Sequence, residues 1–463
     1  MIAPLLLSQV AEFTRAKLQS ELVGEDVAFV RITTDSRQLQ SGDLFVALRG
    51  ENFDGHNFLQ AAANQGAIAL VVEKADPSLA LPQLVVSNTL LALGQIAAIN
   101  RAYFRGPLLA ITGSSGKTTV KTMTANILRE CGAVLMTQGN FNNHIGVPLT
   151  LLQIEALHDY AVIEMGASAI GEIAYLCDLA KPDVALINNV MPAHIQGFGS
   201  LAGIACAKSE IYQGLGATGT AVVNIDDAFA ADWLAQLADK KTITVSLFNQ
   251  EADCYARSVN QGSEGVSFTL VLQQQMINIE LNALGEHSVR NALAAAACAA
   301  AVGADLQHIQ RGLSAFVPVS GRMSRHLGVN GSLIIDDSYN ANPGSVCAAI
   351  DVLAAQPGDT VLVLGDMGEL GEEAAQLHAD IGRYARDVGV RQLFTLGTLS
   401  RNTSENFGAG AQHFVTHAEL ITALAEMAGA NTTFLIKGSR SAKTDIIVRG
   451  LCEASSDSAG DHH

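Results

Sequence analysis

The stretch PLLAITGSSGKTTVKTMTANILREC, residues 107–131, decides how this chain is read. It runs strand, glycine turn, helix, which is the setting a phosphate-binding loop needs. The common spelling, G-x-x-x-x-G-K-[ST], calls for glycine at position 111, where Ile111 stands. The working unit is therefore Gly113 to Thr119. Gly113 and Gly116 let the backbone turn tightly and approach phosphate oxygens, with Ser114, Ser115 and Thr119 completing the cradle. The following helix presents free N–H groups and the positive end of its dipole. Lys117 is placed to reach the outer phosphates and Thr118 to set its hydroxyl on Mg²⁺. An ordinary Gly/Ser turn is the plain alternative, and GKTT after a strand and before a helix favours the phosphate site. The loop alone names no reaction, since kinases, switches, transporters and ligases all carry one.

Outward from the loop, the chain has 463 residues, which suggests about three domains. Hydrophobic residues make up 49% and charged residues 16%, and the apolar content is mostly Ala, Leu, Val and Ile. That mix suits α/β layers with buried parallel strands. DLFVAL and IALVVE, flanking the helical NFLQAAANQGA, describe a small mixed α/β unit over residues 1–84. NTLLALGQIAAINRAYF reads as a connecting helix. YAVIEM, DVALINN and TAVVNI continue the parallel rhythm begun by PLLAIT through a central domain, residues 85–317, with GVSFTLVLQQQMINIELNAL as an antiparallel flank and SVRNALAAAACAAAVGA as a closing helix. SLIIDDSY, TVLVLGD, QLFTLG and TTFLIKG then alternate with helices in a Rossmann-like domain, residues 318–455, before a frayed tail, 456–463.

The net charge of −17 argues against nucleic-acid binding, because such a surface repels a polyanion. Seven dispersed cysteines with no C-x-x-C pair read as reduced thiols of a cytoplasmic protein. The first residues, MIAPLLLSQVAEF, lack the basic start and small-residue cleavage site of a signal peptide, and no apolar run is long enough for a membrane span.

Three further positions carry chemistry. Glu164 in YAVIEM falls at the C-terminal end of a strand, where ligands collect in open parallel sheets, and is a candidate Mg²⁺ ligand beside Thr118; an exposed strand-end carboxylate is the alternative. His194, in the loop after DVALINN, is a candidate ligand for a second metal or a solvated loop histidine. Lys208 shares a helical face with Ile204, Ile211 and Leu215, so its ammonium must pair, snorkel or be modified. Reaction with CO₂ turns the cation into a carbamate anion that can ligate Mg²⁺.

TGSSGKTT, VIEMGAS, AHIQGFGS, AKSEIY, RNALAAAA, SGRM and DDSYNANP, in this order, resemble the Mur ligase family of ATP-dependent amino-acid ligases, over nearly the whole chain. The resemblance implies an N-terminal UDP-sugar domain, a central ATPase domain and a C-terminal Rossmann-like domain. It implies ATP with two Mg²⁺ ions, a carbamylated Lys208, and Lys117, His194, Lys208 and Asp337 as the catalytic set. Asn291 matches an adenine-contacting position, and Arg322 and Asp337 match groups of a C-terminal domain that closes on ATP. The resemblance implies that ATP draws the two toward the phosphate loop, and the sequence leaves open or closed undecided. TTDSR, GNFNNHIG and LIKGSRSAKTD point within the family to addition of D-alanyl-D-alanine to a UDP-N-acetylmuramoyl-tripeptide; a monomer in the cytoplasm is expected. Ser36 and Arg37 are then expected at the uridine end, Asn142 and Asn143 at the diphosphate-sugar, and Asn342, Lys437, Ser439 and Arg440 toward the peptide. Asn342, before Pro343, also reads as a helix N-cap. Glu286 and Ser288 in GEHSVRNALA stand where the family more often has Arg and Asn. A ligase with a different amine substrate, or a nucleotide switch without ligase activity, are the alternatives.

Overall fold

The structure, a computed structural model, describes residues 1–19, 26–50, 53–192 and 195–452. The expected tail, 456–463, lies outside the described residues. The chain forms three α/β domains built on mostly parallel sheets.

In the N-terminal domain, strand Leu44–Val46 shows how a strand buried on both faces divides its side chains. Leu44 and Val46 join the large core shared with the central domain, while Phe45 and Ala47 join a smaller core with Leu59 and Ala62. The connecting helix is present as Thr89–Tyr103, capped by Asn88, whose side chain accepts from the Leu91 N–H at 2.9 Å. Its buried face, Ala92, Leu93, Ile96 and Ala97, packs into that shared core.

The central domain holds nine strands in the order Gln275–Leu281, Val266–Leu272, Cys254–Gln261, Lys241–Ser246, Thr220–Asn224, Val184–Ile187, Leu108–Thr112, Tyr160–Glu164, Val134–Met136. Pairing is parallel except between the first three, which make the antiparallel flank. Strand Leu108–Thr112 lies mid-sheet, so its C-terminal end opens where ligands bind in this architecture. Ile111 is fully buried in the core beneath the phosphate-loop helix, Lys117–Arg129. An isoleucine here contributes about 2 kcal/mol by burial, which a glycine would forgo. The strand runs to Thr112, so the loop begins at Gly113.

The C-terminal sheet has six strands, ordered Ser324–Leu327, Leu333–Asp337, Thr432–Lys437, Asp359–Gly365, Gln392–Leu396, Ala411–Phe414, antiparallel only at the first pair. Leu284 of the central domain belongs to this domain's core, with Ile335, Ile350 and Val352. Gly344 lies against Met191, so closely that a Cβ there would stand 2.7 Å from the sulfur. Among the described residues no helix is long and apolar enough to cross a membrane.

Candidate active site

Gly116 caps the phosphate-loop helix with φ +75, a conformation that L side chains rarely adopt. A Cβ there would also meet Asn188 Nδ2 at 2.6 Å and Asn291 Oδ1 at 2.7 Å. Both restrictions demand glycine. Lys117 Nζ donates to the Gly113 carbonyl at 2.7 Å, folding the side chain over its own loop. Burial lowers its pKa, Glu164 opposes that shift and Arg322 adds to it.

Glu164 is the centre of charge. Parallel register sets it beside Ile111, so its carboxylate emerges just under the loop. The residue is 2% exposed, which rejects the exposed strand-end alternative. Oε2 accepts from Thr118 Oγ1 at 2.8 Å and lies 3.4 Å from Lys121 Nζ, while Oε1 accepts from Asn142 Nδ2 at 2.8 Å. Burial pushes its pKa up, but Lys121 and Lys117, with the Asn142 hydrogen bond and Arg322, pull further the other way, so it sits below the ordinary glutamate value. The carboxylate is thus held ionised.

Lys208, on helix Leu201–Gln213, is 3% exposed, and Ile204, Ile211 and Leu215 beside it are buried as the spacing predicted. Its side chain lines the same cavity as the loop and makes no hydrogen bond or ion pair among the described residues. It has therefore not snorkelled to the outer surface. Burial, and then the Lys117 charge, drive its pKa well below the ordinary lysine value. His194 lies outside the described residues.

The C-terminal domain supplies the opposite wall. Strands Leu333–Asp337 and Thr432–Lys437 run side by side with Asp337 registered against Lys437. That register produces an ion pair, Lys437 Nζ to Asp337 Oδ2 at 2.5 Å, with a second bond from Lys437 to the Asn340 carbonyl at 2.9 Å. Burial raises the Asp337 pKa against the pull of Lys437. The Arg322 guanidinium lies over the Tyr339 ring, 4.1 Å from its centroid. Together with the loop, Glu164, Lys208 and Asn291, these residues line one cavity of about 460 Å³. Arg322 and Asp337 stand across the cavity from the loop, and the packing of Leu284 and Met191 against the C-terminal domain holds the two walls together.

The remaining expected residues divide. Asn142, Asn143 and Asn342 line the cavity. The Asn142 amide is engaged with Glu164, and Asn143 Oδ1 accepts from the Ile145 and Gly146 N–H groups. Asn342 is the N-cap of helix Pro343–Ala354, in a reciprocal capping box with Ser345. Lys437 lines the cavity too, whereas Ser439 and Arg440 do not; Ser439 Oγ bonds Ser441 Oγ at 3.0 Å. Ser36 and Arg37 open a short turn in the N-terminal domain, away from the cavity, where Arg37 pairs with Asp35 at 2.7 Å and is 87% exposed.

Three residues escaped the sequence reading, and a fourth, His287 in GEHSVRNALA, was given no role by it. Lys121 is 2% exposed and faces Glu164; a lysine one turn into a helix gives no warning of this. Asn188 and Asn189 bond the loop backbone at Ser115, and their only signal was a polar pair closing an apolar strand. His287 lines the cavity with its pKa lowered to about 4 by burial and by the Lys437 and Arg290 charges, so it is neutral at pH 7. Glu286 falls in the exposed first turn of helix Glu286–Ala300, and Ser288 Oγ donates to the Leu284 carbonyl at 2.7 Å.

A phosphate loop at the C-terminal edge of a parallel sheet, roofed by a second Rossmann-like sheet that brings an arginine and an aspartate, defines a three-domain nucleotide-binding α/β protein. The chain matches the Mur ligase family catalytic domain over residues 29–101, the Mur ligase middle domain over 111–299 and the Mur ligase glutamate ligase domain over 321–440. It is 43% identical to the UDP-N-acetylmuramoyl-tripeptide–D-alanyl-D-alanine ligase of Escherichia coli K12, across 96% of this chain and 98% of that one. A crystal structure of MurF from Acinetobacter baumannii superposes with a TM-score of 0.91 at 35% identity, covering 97% of this chain and 99% of that one. MurF of Thermotoga maritima in complex with ADP superposes with a TM-score of 0.83 at 26% identity, covering 91% and 96%. The chain belongs to the Mur ligase family.

Proposed function

We propose that this protein is an ATP-dependent ligase that joins D-alanyl-D-alanine to UDP-N-acetylmuramoyl-tripeptide, giving the pentapeptide, ADP and phosphate in peptidoglycan precursor synthesis. The observation that carries the reading is the single cavity that joins Lys117, Thr118, Glu164 and Lys208 of the central domain to Arg322 and Asp337 of the C-terminal domain. The near full-length likeness to a ligase of this name supports the choice of substrates. The enzyme works as a cytoplasmic monomer. Its domains divide at 84/85 and 317/318, the first binding the UDP end through Ser36 and Arg37, the last the peptide end through Asn342, Lys437, Ser439 and Arg440. Asn142 and Asn143 sit between, at the diphosphate-sugar.

A carboxylate and an amine at neutral pH form a salt and not an amide, so the carboxylate needs a leaving group. The terminal carboxylate of the tripeptide attacks the γ-phosphorus of ATP; the bond to the β–γ bridging oxygen breaks and ADP leaves. The dipeptide amine then attacks the acyl phosphate and gives up a proton, and the tetrahedral intermediate expels inorganic phosphate. Two unit charges 4 Å apart repel by about 4 kcal/mol at an effective dielectric of 20, and the reactants carry several such pairs. Neutralising that charge is the main task of the site. Lys117 exchanges the Gly113 carbonyl for the outer phosphates, Asn291 meets the adenine, and Arg322 approaches from the roof.

The donor set fits Mg²⁺. Thr118 Oγ1 and an ionised Glu164 Oε2, 2.8 Å apart, are hard oxygens, and Mg²⁺ is held by one or two carboxylates beside substrate phosphates. Thr118 and Glu164 would hold one ion, and His194 with a carbamylated Lys208 would help hold a second. Bound there, Mg²⁺ supplies charge neutralisation at the transferring phosphoryl group. Lys208 suits carbamylation: burial and the Lys117 charge lower its pKa and so favour the neutral amine, the form that adds to CO₂ with loss of one proton, and the product anion no longer repels a metal.

The test is phosphate release measured with ATP, UDP-N-acetylmuramoyl-tripeptide and D-alanyl-D-alanine, each omitted in turn, using the lysine and the diaminopimelate tripeptide. Release that needs both acceptor substrates supports the reading. Release that ignores the dipeptide, or prefers another amine, contradicts it.

A further inference from the structure

We propose that Asn188 and Asn189 are positioning residues that hold the phosphate loop in its binding shape and tie it to Asn291, so that the anion nest comprises the backbone N–H groups of residues 116–119 and excludes those of Ser114 and Ser115. This rests on the nucleotide reading above and narrows it.

Hydrogen-bond accounting carries the argument. Ser114 N–H donates to the Asn189 carbonyl at 2.9 Å, and Ser115 N–H donates to Asn189 Oδ1 at 2.9 Å. Ser114 Oγ donates to the Met191 carbonyl at 3.0 Å and accepts from the Met191 N–H at 2.9 Å. The Ser115 carbonyl accepts twice, from Asn188 Nδ2 at 2.9 Å and Asn189 Nδ2 at 3.1 Å. Both loop serines are thus committed to the segment after strand Val184–Ile187, and neither main-chain N–H is free for a phosphate. The N–H groups that open helix Lys117–Arg129 remain, with the left-handed Gly116 turning them toward the cavity.

Asn188 does more than brace. Its amide has two hydrogens. One serves the Ser115 carbonyl and the other serves Asn291 Oδ1 at 3.0 Å. The backbone of Asn188 is itself fixed, its N–H to the Thr112 carbonyl and its carbonyl to Asn224 Nδ2, each at 2.9 Å, and the residue is 1% exposed. One immobile side chain therefore sets the distance between the phosphate loop and the residue at the adenine position. A longer or shorter residue at 188 moves one end of the nucleotide site relative to the other.

The experiment is calorimetric titration of the full chain with Mg·ADP, for wild type, Asn188→Leu, Asn291→Ala and the double variant, with binding of UDP-N-acetylmuramoyl-tripeptide as control. Asn188→Leu is expected to weaken ADP binding about tenfold, leave the control within twofold, and raise KM for ATP more than it lowers kcat. The double variant is expected to lose less than the product of the two single losses, because both act on one hydrogen-bonded unit. ADP affinity within twofold of wild type in a folded Asn188→Leu protein, fully multiplicative losses, or equal loss of the control ligand would overturn the proposal. Asn188→Ser, which removes the amide with less bulk, carries the same expectation should the leucine variant not fold. A wild-type protein that binds no ADP would instead defeat the nucleotide reading itself.

Discussion

Lys208 and Glu164 show at the scale of one residue how burial and neighbouring charge set the ionisation of a common side chain. Each is almost fully removed from water, yet Glu164 is held below the ordinary glutamate pKa by Lys121, Lys117 and two hydrogen-bond donors, while burial and then the Lys117 charge both push Lys208 toward its neutral form. Lys208→Ala is expected to lower turnover at least a hundredfold while Mg·ADP affinity changes by less than fivefold; near-normal turnover would remove the residue from the reaction. His287 gives a stability prediction. Its folded pKa is about 4 against an ordinary 6.5, so the unfolded chain takes up a proton that the folded chain refuses. Its contribution is fully present above pH 6.5 and is lost as pH falls toward 4. His287→Gln should flatten that part of the stability–pH curve, read by chemical denaturation of both proteins at pH 7 and pH 4.5. An identical slope in both would show that His287 is not protected from protonation.

The phosphate loop is the element through which the other elements are placed. Gly116→Ala introduces a Cβ 2.6 Å from Asn188 Nδ2 at a φ of +75, a backbone strain of about 1–2 kcal/mol on top of the clash. The expected outcome is a lower melting temperature and at least tenfold weaker ADP binding; unchanged affinity would mean the loop takes a different shape. This element was legible in the sequence because glycine, lysine and threonine stand in a short fixed order between a strand and a helix. Glu164 and Lys208 were legible for a related reason: each interrupts an apolar pattern that has no use for charge. Asn188, Asn189 and Lys121 carried no such contradiction. Asparagines after a strand suit any turn, and a helical lysine suits any surface. The Asp337–Lys437 pair was hidden differently, since it depends on which strands become neighbours across a sequence separation of 100.

At the scale of the molecule, the site exists only where two domains meet. The three-domain order could be read from the alternation of apolar runs, but the closeness of the C-terminal wall could not, because it depends on contacts such as Met191 against Gly344. Gly344→Val thrusts bulk into that contact and is expected to cut turnover about tenfold with little loss of melting temperature. Small-angle scattering should record a larger radius for the variant, and an unchanged radius with normal turnover would show that the contact does not govern closure. The net charge of −17 sharpens the role of this cavity, whose lining gathers Lys117, Arg322 and Lys437 in one place that an anionic nucleotide can enter, with Lys121 buried behind Glu164. The central claim is that the phosphate passes to the peptide's own carboxylate. The direct measurement uses UDP-N-acetylmuramoyl-tripeptide with both oxygens of its terminal carboxylate replaced by ¹⁸O, with ATP and D-alanyl-D-alanine, and weighs the phosphate released. An acyl phosphate predicts one ¹⁸O in each phosphate formed; phosphate without the label would contradict the account.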